Sequence, residues 1–212
     1  MTRSTARRVT YASLVAVMAA LVLLPSLAPA TIEEQRARLP PPAPPDSCRN
    51  PIEGVWRSLR WYPGNRAWYQ FTLEIHQRDN TLFGTIEAHS WDTPPTVQEP
   101  GPCRAGLDHW VVIQEARGGF DGLRIRFGGV RWAVQSSFCG TRPYGYNLDQ
   151  FTGVIDPAIQ EFQSVNNDGG AQIDEPTVFR RIRCFEPQAV PHPYVAPPSF
   201  QPPARNRWGC SR

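Results

Sequence analysis

The sequence predicts an all-β domain, an antiparallel up-and-down barrel of about eight strands with proline-rich, disordered flanks. Stretches such as "AWYQFTLEIHQ" (67–77) alternate apolar and polar side chains with a period of two, which is typical of strands with one buried face. Clusters of Gly, Pro, Asn and Asp separate these stretches and indicate turns. Only "TIEEQRARL" (31–39) has the spacing of a helix.

The first 30 residues have the organisation of an export signal. Three arginines within the first eight residues precede an apolar run that ends in Ala-Pro-Ala at 28–30. The apolar run is slightly short for a membrane-spanning helix, and prolines follow it at once. We therefore expect residues 1–30 to be a signal peptide cleaved near Ala30. The protein is then secreted or periplasmic in a bacterium, with no membrane span after cleavage.

Charge and composition exclude several functions. The net charge of +3 matches the three arginines of residues 1–30, which carry no acidic side chain, so the rest of the chain is formally neutral. We therefore expect no nucleic-acid partner. The chain contains no lysine, which excludes a P-loop lysine, a Schiff base and a Ser-Lys pair, because each needs an amine.

Proline marks the domain boundaries. Residues 31–47 contain "RLPPPAPPDS" and are predicted to be a proline-rich linker, and residues 185–212 are predicted to be a proline-rich tail. Between them lies one domain, residues 48–184, which is long enough to bury a core. Within it we expect strands at 52–61, 67–77, 81–91, 108–117, 122–135, 149–155, 160–166 and 176–184.

The second and third strands are predicted to form a hairpin around a turn at Asp79-Asn80. A two-residue loop there pairs residue 75 with 84, 73 with 86 and 71 with 88, so that one apolar face meets another. The Gly-Gly at 128–129 is consistent with either a bulge in the fifth strand or a turn that splits it.

The cysteines help to decide whether the fifth strand is bulged or split at residues 128–129. Five cysteines in an exported chain indicate disulfides, since no CxxC pair suggests a metal or redox site. In an unsplit eight-stranded meander, Cys48 and Cys184 lie at one end of the sheet, and Cys103 and Cys139 lie at the other. The sequence therefore predicts these two pairs on a bulged sheet, with Cys210 left over.

A Gly-Val-Trp at 54–56, together with the arginines of "TVFRRIRC" (177–184), resembles the calycins. These are the lipocalins, fatty-acid-binding proteins and avidins. "TLFGTIEAHS" (81–90) also looks like the hairpin strands of avidin-type barrels. The resemblance implies that Trp56 begins the first strand and that Arg181 or Arg183 packs across it. It also implies a small apolar or amphipathic ligand held in a cup.

Inward-facing residues of the hairpin are the candidate ligand-binding residues. Small side chains at Ala88 and Ser90 oppose the larger Phe71 and Tyr69, and Ile86 continues this face. Small residues opposite large ones leave a cavity if the barrel is open, and ligand sites are mostly apolar. The alternative is close packing of large against small, which needs no cavity.

The opposite face of the hairpin carries His76, Glu74, His89 and Glu87. Such a cluster has the side chains for acid–base chemistry or metal binding. The alternative is the solvent-facing side of an antiparallel sheet, which we prefer. We predict no catalytic residue, no metal and no cofactor.

Two loops carry further candidate residues. The loop with Asp168, Asp174 and Glu175 lacks the spacing of an EF-hand and is predicted to be a plain turn. In "CGTRPYGYNLDQF" (139–151), Arg142, Tyr144 and Tyr146 line the barrel mouth if that mouth is open, or otherwise belong to a disulfide-tethered loop.

Three functions follow from these patterns. The first is non-catalytic binding of a small apolar or amphipathic ligand inside the barrel. The second is a cell-envelope interaction module that contacts a protein partner through the C-terminal tail and an aromatic patch of Trp68 and Trp91. The third is an enzyme that uses the His/Glu face.

Overall fold

The computed structural model describes residues 31–141, 143–168 and 176–185. Eight antiparallel strands follow one another around a closed barrel in sequence order, and the last pairs with the first. The predicted all-β barrel is therefore confirmed. The strands are β1 (Gly54–Tyr62), β2 (Ala67–Arg78), β3 (Thr81–Trp91), β4 (His109–Phe120), β5 (Arg124–Ser137), β6 (Gln150–Asp156), β7 (Glu161–Asn166) and β8 (Pro176–Arg183).

The predicted hairpin register is confirmed. Phe71 pairs with Ala88, and Ile75 pairs with Gly84, so the apolar faces of β2 and β3 coincide inside the barrel. β5 is one bulged strand rather than two. Its pairing with β4 shifts next to Val130, where two neighbouring residues of β4 face positions 129 and 131.

One end of the barrel is filled by its own side chains, and we call it the packed end. Trp56 is fully buried there and meets the ring of Phe162 edge-on, with 5.2 Å between centroids. The Arg181 guanidinium lies 5.2 Å from the Trp56 ring centroid and donates to the carbonyls of Asn50 and Glu53. Burial lowers the pKa of Arg181 to about 10. Arg183 is exposed, so Arg181 is the arginine that covers the tryptophan.

Residues 31–47 pack against the barrel, which differs from the linker expected for them. A seven-residue helix, α1 (Ile32–Arg38), follows a capping box in which Thr31 and Glu34 bond each other's backbone. The prolines that follow lack N–H groups but keep their carbonyls, and Arg180 donates to the carbonyls of Leu39 and Pro40. An extended proline segment can therefore be bound by a side chain that only donates hydrogen bonds, as the Arg180 guanidinium does here.

This segment covers Trp68 and Trp91, which the interaction-module alternative required to be exposed. Trp68 and Trp91 stack with 6.4 Å between their centroids and are 0% and 3% exposed. Leu39 belongs to the same buried cluster, and the Arg38 guanidinium lies 5.2 Å from the Trp68 ring centroid. The two tryptophans are therefore packed rather than exposed as the interaction module required, and the sequence pattern of the strand alone does not show what lies outside it.

Helix α1 also completes the joint between β1 and β8, which we call the seam. The two strands pair only at positions 55–57 of β1. Beyond that point the fully buried side chain of Gln35 accepts a hydrogen bond from the Val178 backbone and donates one to the Pro176 carbonyl, each at 3.0 Å. The side-chain amide thus satisfies backbone groups that a neighbouring strand would otherwise pair.

Both predicted cysteine pairs lie at disulfide distance. The Cα atoms of Cys48 and Cys184 are 5.3 Å apart at the packed end, and those of Cys103 and Cys139 are 5.1 Å apart at the other end. We call these the packed-end disulfide and the mouth disulfide. Among the described residues, no helix is long and apolar enough to cross a membrane. The predicted signal peptide and the tail with Cys210 lie outside the described residues.

Candidate functional site

The end opposite Trp56 opens into a cavity of about 280 Å³, which we call the mouth cavity. It lies between the β1–β2 turn, the second half of the β5–β6 loop and the ends of the strands opposite the packed end. A groove lined by Ser90, Asp92 and Asp108 adjoins it. A larger groove beside Trp132 is shallow and open to solvent, so it encloses little. Five aromatic residues line the mouth cavity together with as many Asn and Asp residues, and the five aromatic ones are Tyr62, Tyr69, Phe71, Trp110 and Tyr146.

Strand alternation explains four of these rings. Side chains of a strand point alternately into and out of the barrel, so Tyr62 follows Trp56 on the inner face of β1. Tyr69 and Phe71 occupy the inner face of β2, and Trp110 does so at the start of β4. β1 ends at the mouth, and β2 and β4 begin there, so their aromatic residues come together at the mouth.

The rings stand almost perpendicular to one another. Trp110 meets Tyr69 at 78° and Tyr146 at 85°, with centroids 5.9 and 5.8 Å apart. Tyr62 meets Tyr69 at 78° with 5.0 Å between centroids. Edge-to-face pairs are the arrangement that ring quadrupoles favour. In each such pair the edge of one ring lies against the face of the other, so the rings line the cavity in different orientations.

A buried carboxylate lies in the cavity wall. Asp149 is 2% exposed and precedes β6. Its Oδ2 accepts hydrogen bonds from Gln114 Nε2 at 2.6 Å and the Tyr146 hydroxyl at 2.7 Å, and its Oδ1 accepts one from Asn166 Nδ2 at 2.7 Å. Burial raises its pKa to about 6, although these three hydrogen bonds oppose the rise.

The β5 bulge makes room for this network. Gln114 also accepts a hydrogen bond from the Asp149 backbone, and the Gly129 backbone donates to the Asp149 carbonyl at 2.9 Å. A Cβ atom at position 129 would collide with the Gln114 side chain. Glycine is therefore needed where the bulge approaches Gln114, and the bulge positions the loop that carries Asp149.

The neighbouring phenols stay neutral to high pH. Burial raises the pKa of Tyr62, of Tyr69 and of Tyr146, and the Asp149 carboxylate adds to each of these increases. Arg60 is also buried inside the barrel, but it does not line the mouth cavity. Its guanidinium lies 4.7 Å from the Tyr62 ring centroid and donates to the Pro176 carbonyl.

The predicted ligand-binding residues divide between cavity and core. Tyr69 and Phe71 line the mouth cavity, and Ser90 lines the adjoining groove. Ile86 and Ala88 are fully buried in the packed core, outside the cavity wall, which differs from the expectation that they border it. The interior of the barrel therefore contains a cavity near the mouth and closely packed side chains further from it, so each of the two alternatives describes one part of the interior.

The predicted His/Glu cluster is not assembled into one site. His76 contacts Glu74 at 3.2 Å, whereas His89 pairs across the hairpin with Gln70, roughly 20 Å further along the strand. His89 Nε2 lies 2.9 Å from His109 Nε2 instead. Burial and the neighbouring His109 lower the pKa of His89 to about 4.

A group of potential metal ligands lies beside this histidine pair. Ligand atoms of Cys103, His109 and Cys139 lie within 4.8 Å of one another. The two sulfurs belong to the mouth disulfide, which leaves only an imidazole to offer a metal. In the loops, Tyr146 lines the cavity and Tyr144 is fully exposed. Arg142, Asp174 and Glu175 lie outside the described residues.

Sequence reasoning missed Trp110, Gln114 and Asp149. One signal was present for Gln114, which is a polar residue at an inward position of the apolar run "WVVIQEA" (110–116). A polar residue in the inward phase of a barrel strand needs a buried partner. Comparison with family models, curated proteins and solved structures gives no match, so the interpretation of the site depends on the residues of this chain.

Proposed function

We propose that the protein is an exported, calycin-like binding protein that holds one small amphipathic molecule in the mouth of its barrel, without catalysis. The observation that carries the proposal is the mouth cavity, which is lined by five aromatic residues and by the buried, hydrogen-bonded carboxylate of Asp149. Ligand sites typically combine apolar walls with a few polar groups that orient the ligand.

The cavity also limits the size of the ligand. Its volume of about 280 Å³ is close to the lower end of the roughly 300–1,000 Å³ that is usual for small-molecule sites. The closely packed part of the barrel interior prevents a long chain from reaching deeper, because Ile86 and Ala88 are 0% exposed. The proposal therefore specifies a compact molecule rather than a long-chain lipid.

Export is part of the same proposal. Disulfides persist in oxidising compartments, and the chain has two cysteine pairs at bonding distance. The arginines, apolar run and Ala-Pro-Ala at its start agree with a cleaved signal. A periplasmic or secreted location is consistent with both observations.

Native mass spectrometry of the full chain purified from its own host tests the proposal. We expect a retained small molecule on the wild-type protein. An Asn65→Trp variant should lose it, because Asn65 lines the cavity at its entrance. Asn80→Trp is the matched control, since Asn80 is exposed in the turn at the opposite end of the barrel. A wild-type protein that retains no molecule, or equal retention by both variants, would refute the proposal.

A further inference from the structure

The electrostatics of the mouth favour a positively charged occupant. Asp149 and Asp168 line the mouth cavity, and Asp92 and Asp108 line the adjoining groove. Within the described residues, neither lining set includes an arginine or a histidine. Arg60 is the nearby buried cation, and its guanidinium lies over Tyr62. Among the described lining residues, the ionisable side chains that are charged at neutral pH are therefore all acidic.

The aromatic walls provide a second, independent reason. A cation is attracted to the face of an aromatic ring, and several rings at right angles surround an ammonium group on several sides. Tyr69, Trp110 and Tyr146 all line the cavity, and the Trp110 ring lies at 78° to Tyr69 and at 85° to Tyr146. Guanidinium groups cover the rings of Trp56, Trp68 and Tyr62, but in the described part of the chain none covers these three.

Asp149 retains capacity for a ligand. An ionised carboxylate offers about four acceptor positions, and three side-chain donors occupy three of them. The donors hold the carboxylate in one orientation within the cavity wall, so a bound cation loses little free energy in ordering it. A neutral ligand of the same shape leaves the buried charge uncompensated.

From this geometry we infer that the occupant is a small organic ammonium compound, held between Tyr69, Trp110 and Tyr146 with its charge facing Asp149. This inference rests on the proposed function, since it specifies the ligand of the same cavity. Anionic ligands are disfavoured by the four carboxylates. Neutral ligands fill the cavity but gain neither the ring-face attraction nor the charge pairing.

Pairs of ligands that differ only in charge test the inference on the wild-type, disulfide-intact protein. Suitable pairs are choline with 3,3-dimethylbutan-1-ol, phenethylamine with 2-phenylethanol, and cyclohexylamine with cyclohexanol. Isothermal titration calorimetry at pH 7.5 should show at least one ammonium compound binding at least tenfold more tightly than its neutral partner. The molecule retained in native mass spectrometry should carry an amine or a quaternary nitrogen.

Variants assign the preference to the site. Asp149→Asn should reduce the preference for the cation to less than threefold, and Asp46→Asn, an exposed carboxylate outside the mouth, should leave it unchanged. Trp110→Leu gives a second measurement if the Asp149 variant does not fold. It should lower the affinity for the ammonium compound at least tenfold.

The outcomes separate this inference from the proposed function. Neutral compounds that bind as tightly as their charged partners, or a retained molecule without a basic nitrogen, would overturn the ammonium assignment and leave the binding function standing. Absence of any retained or titrated ligand would overturn both.

Discussion

Asp149 should make the folded protein more stable as the pH falls from 7.5 to 5.0, and this contribution should disappear in Asp149→Asn. Its pKa is about 6 in the folded protein against an ordinary value of 3.8, so the folded state takes up a proton before the unfolded state does. Stability due to this group therefore decreases as the pH rises through the window between those values.

The size of the effect follows from the two pKa values. At pH 5.0 the carboxyl is about nine-tenths protonated when folded and about one-twentieth protonated when unfolded. Proton linkage then gives about 1.4 kcal/mol of added stability between pH 7.5 and pH 5.0. Asp149 is 2% exposed, so solvent screening does not reduce this figure greatly. His89 acts in the opposite direction, because its lowered pKa costs stability as the pH falls.

The assay is urea unfolding followed by near-UV circular dichroism at both pH values, with the disulfides intact. For each protein we take the change in unfolding free energy between pH 7.5 and pH 5.0, and we subtract the value for Asp149→Asn from that for the wild type. The contribution of His89 is the same in both proteins and cancels. We expect a difference of about 1.4 kcal/mol. Asp46→Asn should behave like the wild type. Errors from non-additivity are at most about 0.5 kcal/mol. A difference smaller than that would show that the pKa of Asp149 is not raised by burial.

Three further predictions concern the framework. Gln35→Ala should lower the unfolding free energy by about 1–3 kcal/mol, because it leaves the buried Val178 N–H without its acceptor. Gln163→Ala on the exposed face of β7 should change the unfolding free energy by less than about 0.5 kcal/mol. Arg181→Ala should cost more than about 3 kcal/mol by urea unfolding, because it removes the buried guanidinium that donates to Gln160 Oε1 and to the carbonyls of Asn50 and Glu53, and Arg183→Ala should have little effect. Replacing both cysteines of the mouth disulfide by serine should cost up to about 4 kcal/mol by loop entropy, and a tryptic map should show both proposed pairs.

The sequence predicts the barrel well because its evidence is local. A two-residue turn between β2 and β3 fixes the pairing of Phe71 with Ala88, and alternation then assigns every other residue of both strands to a face. The cysteine pairs and the strand count support each other, because only an unsplit meander of eight strands brings Cys103 and Cys139 to the same end. These inferences need only near neighbours and the direction of each strand.

The packing of residues 31–47 and the Asp149 network were not predictable in the same way. Proline content indicates extended chain, but it does not show that Arg180 will bind the carbonyls of that chain. Asp149 lies in an irregular loop and obtains its donors from Gln114 and Asn166, 35 and 17 residues away. No local pattern records such contacts, because three separate elements create them.

The seam between β1 and β8 brings together the most distant parts of the described barrel sequence. Every other strand pair joins neighbours along the sequence, but the seam joins residues such as Gln35 and Val178, which are 143 positions apart. Contacts of that separation form slowly, because a long loop must close before they stabilise the chain. Until β8 and α1 arrive, the first strand has an unpaired edge that invites pairing with other chains. We therefore expect closure to come late in folding and the open-edged chain to be the form most prone to aggregate.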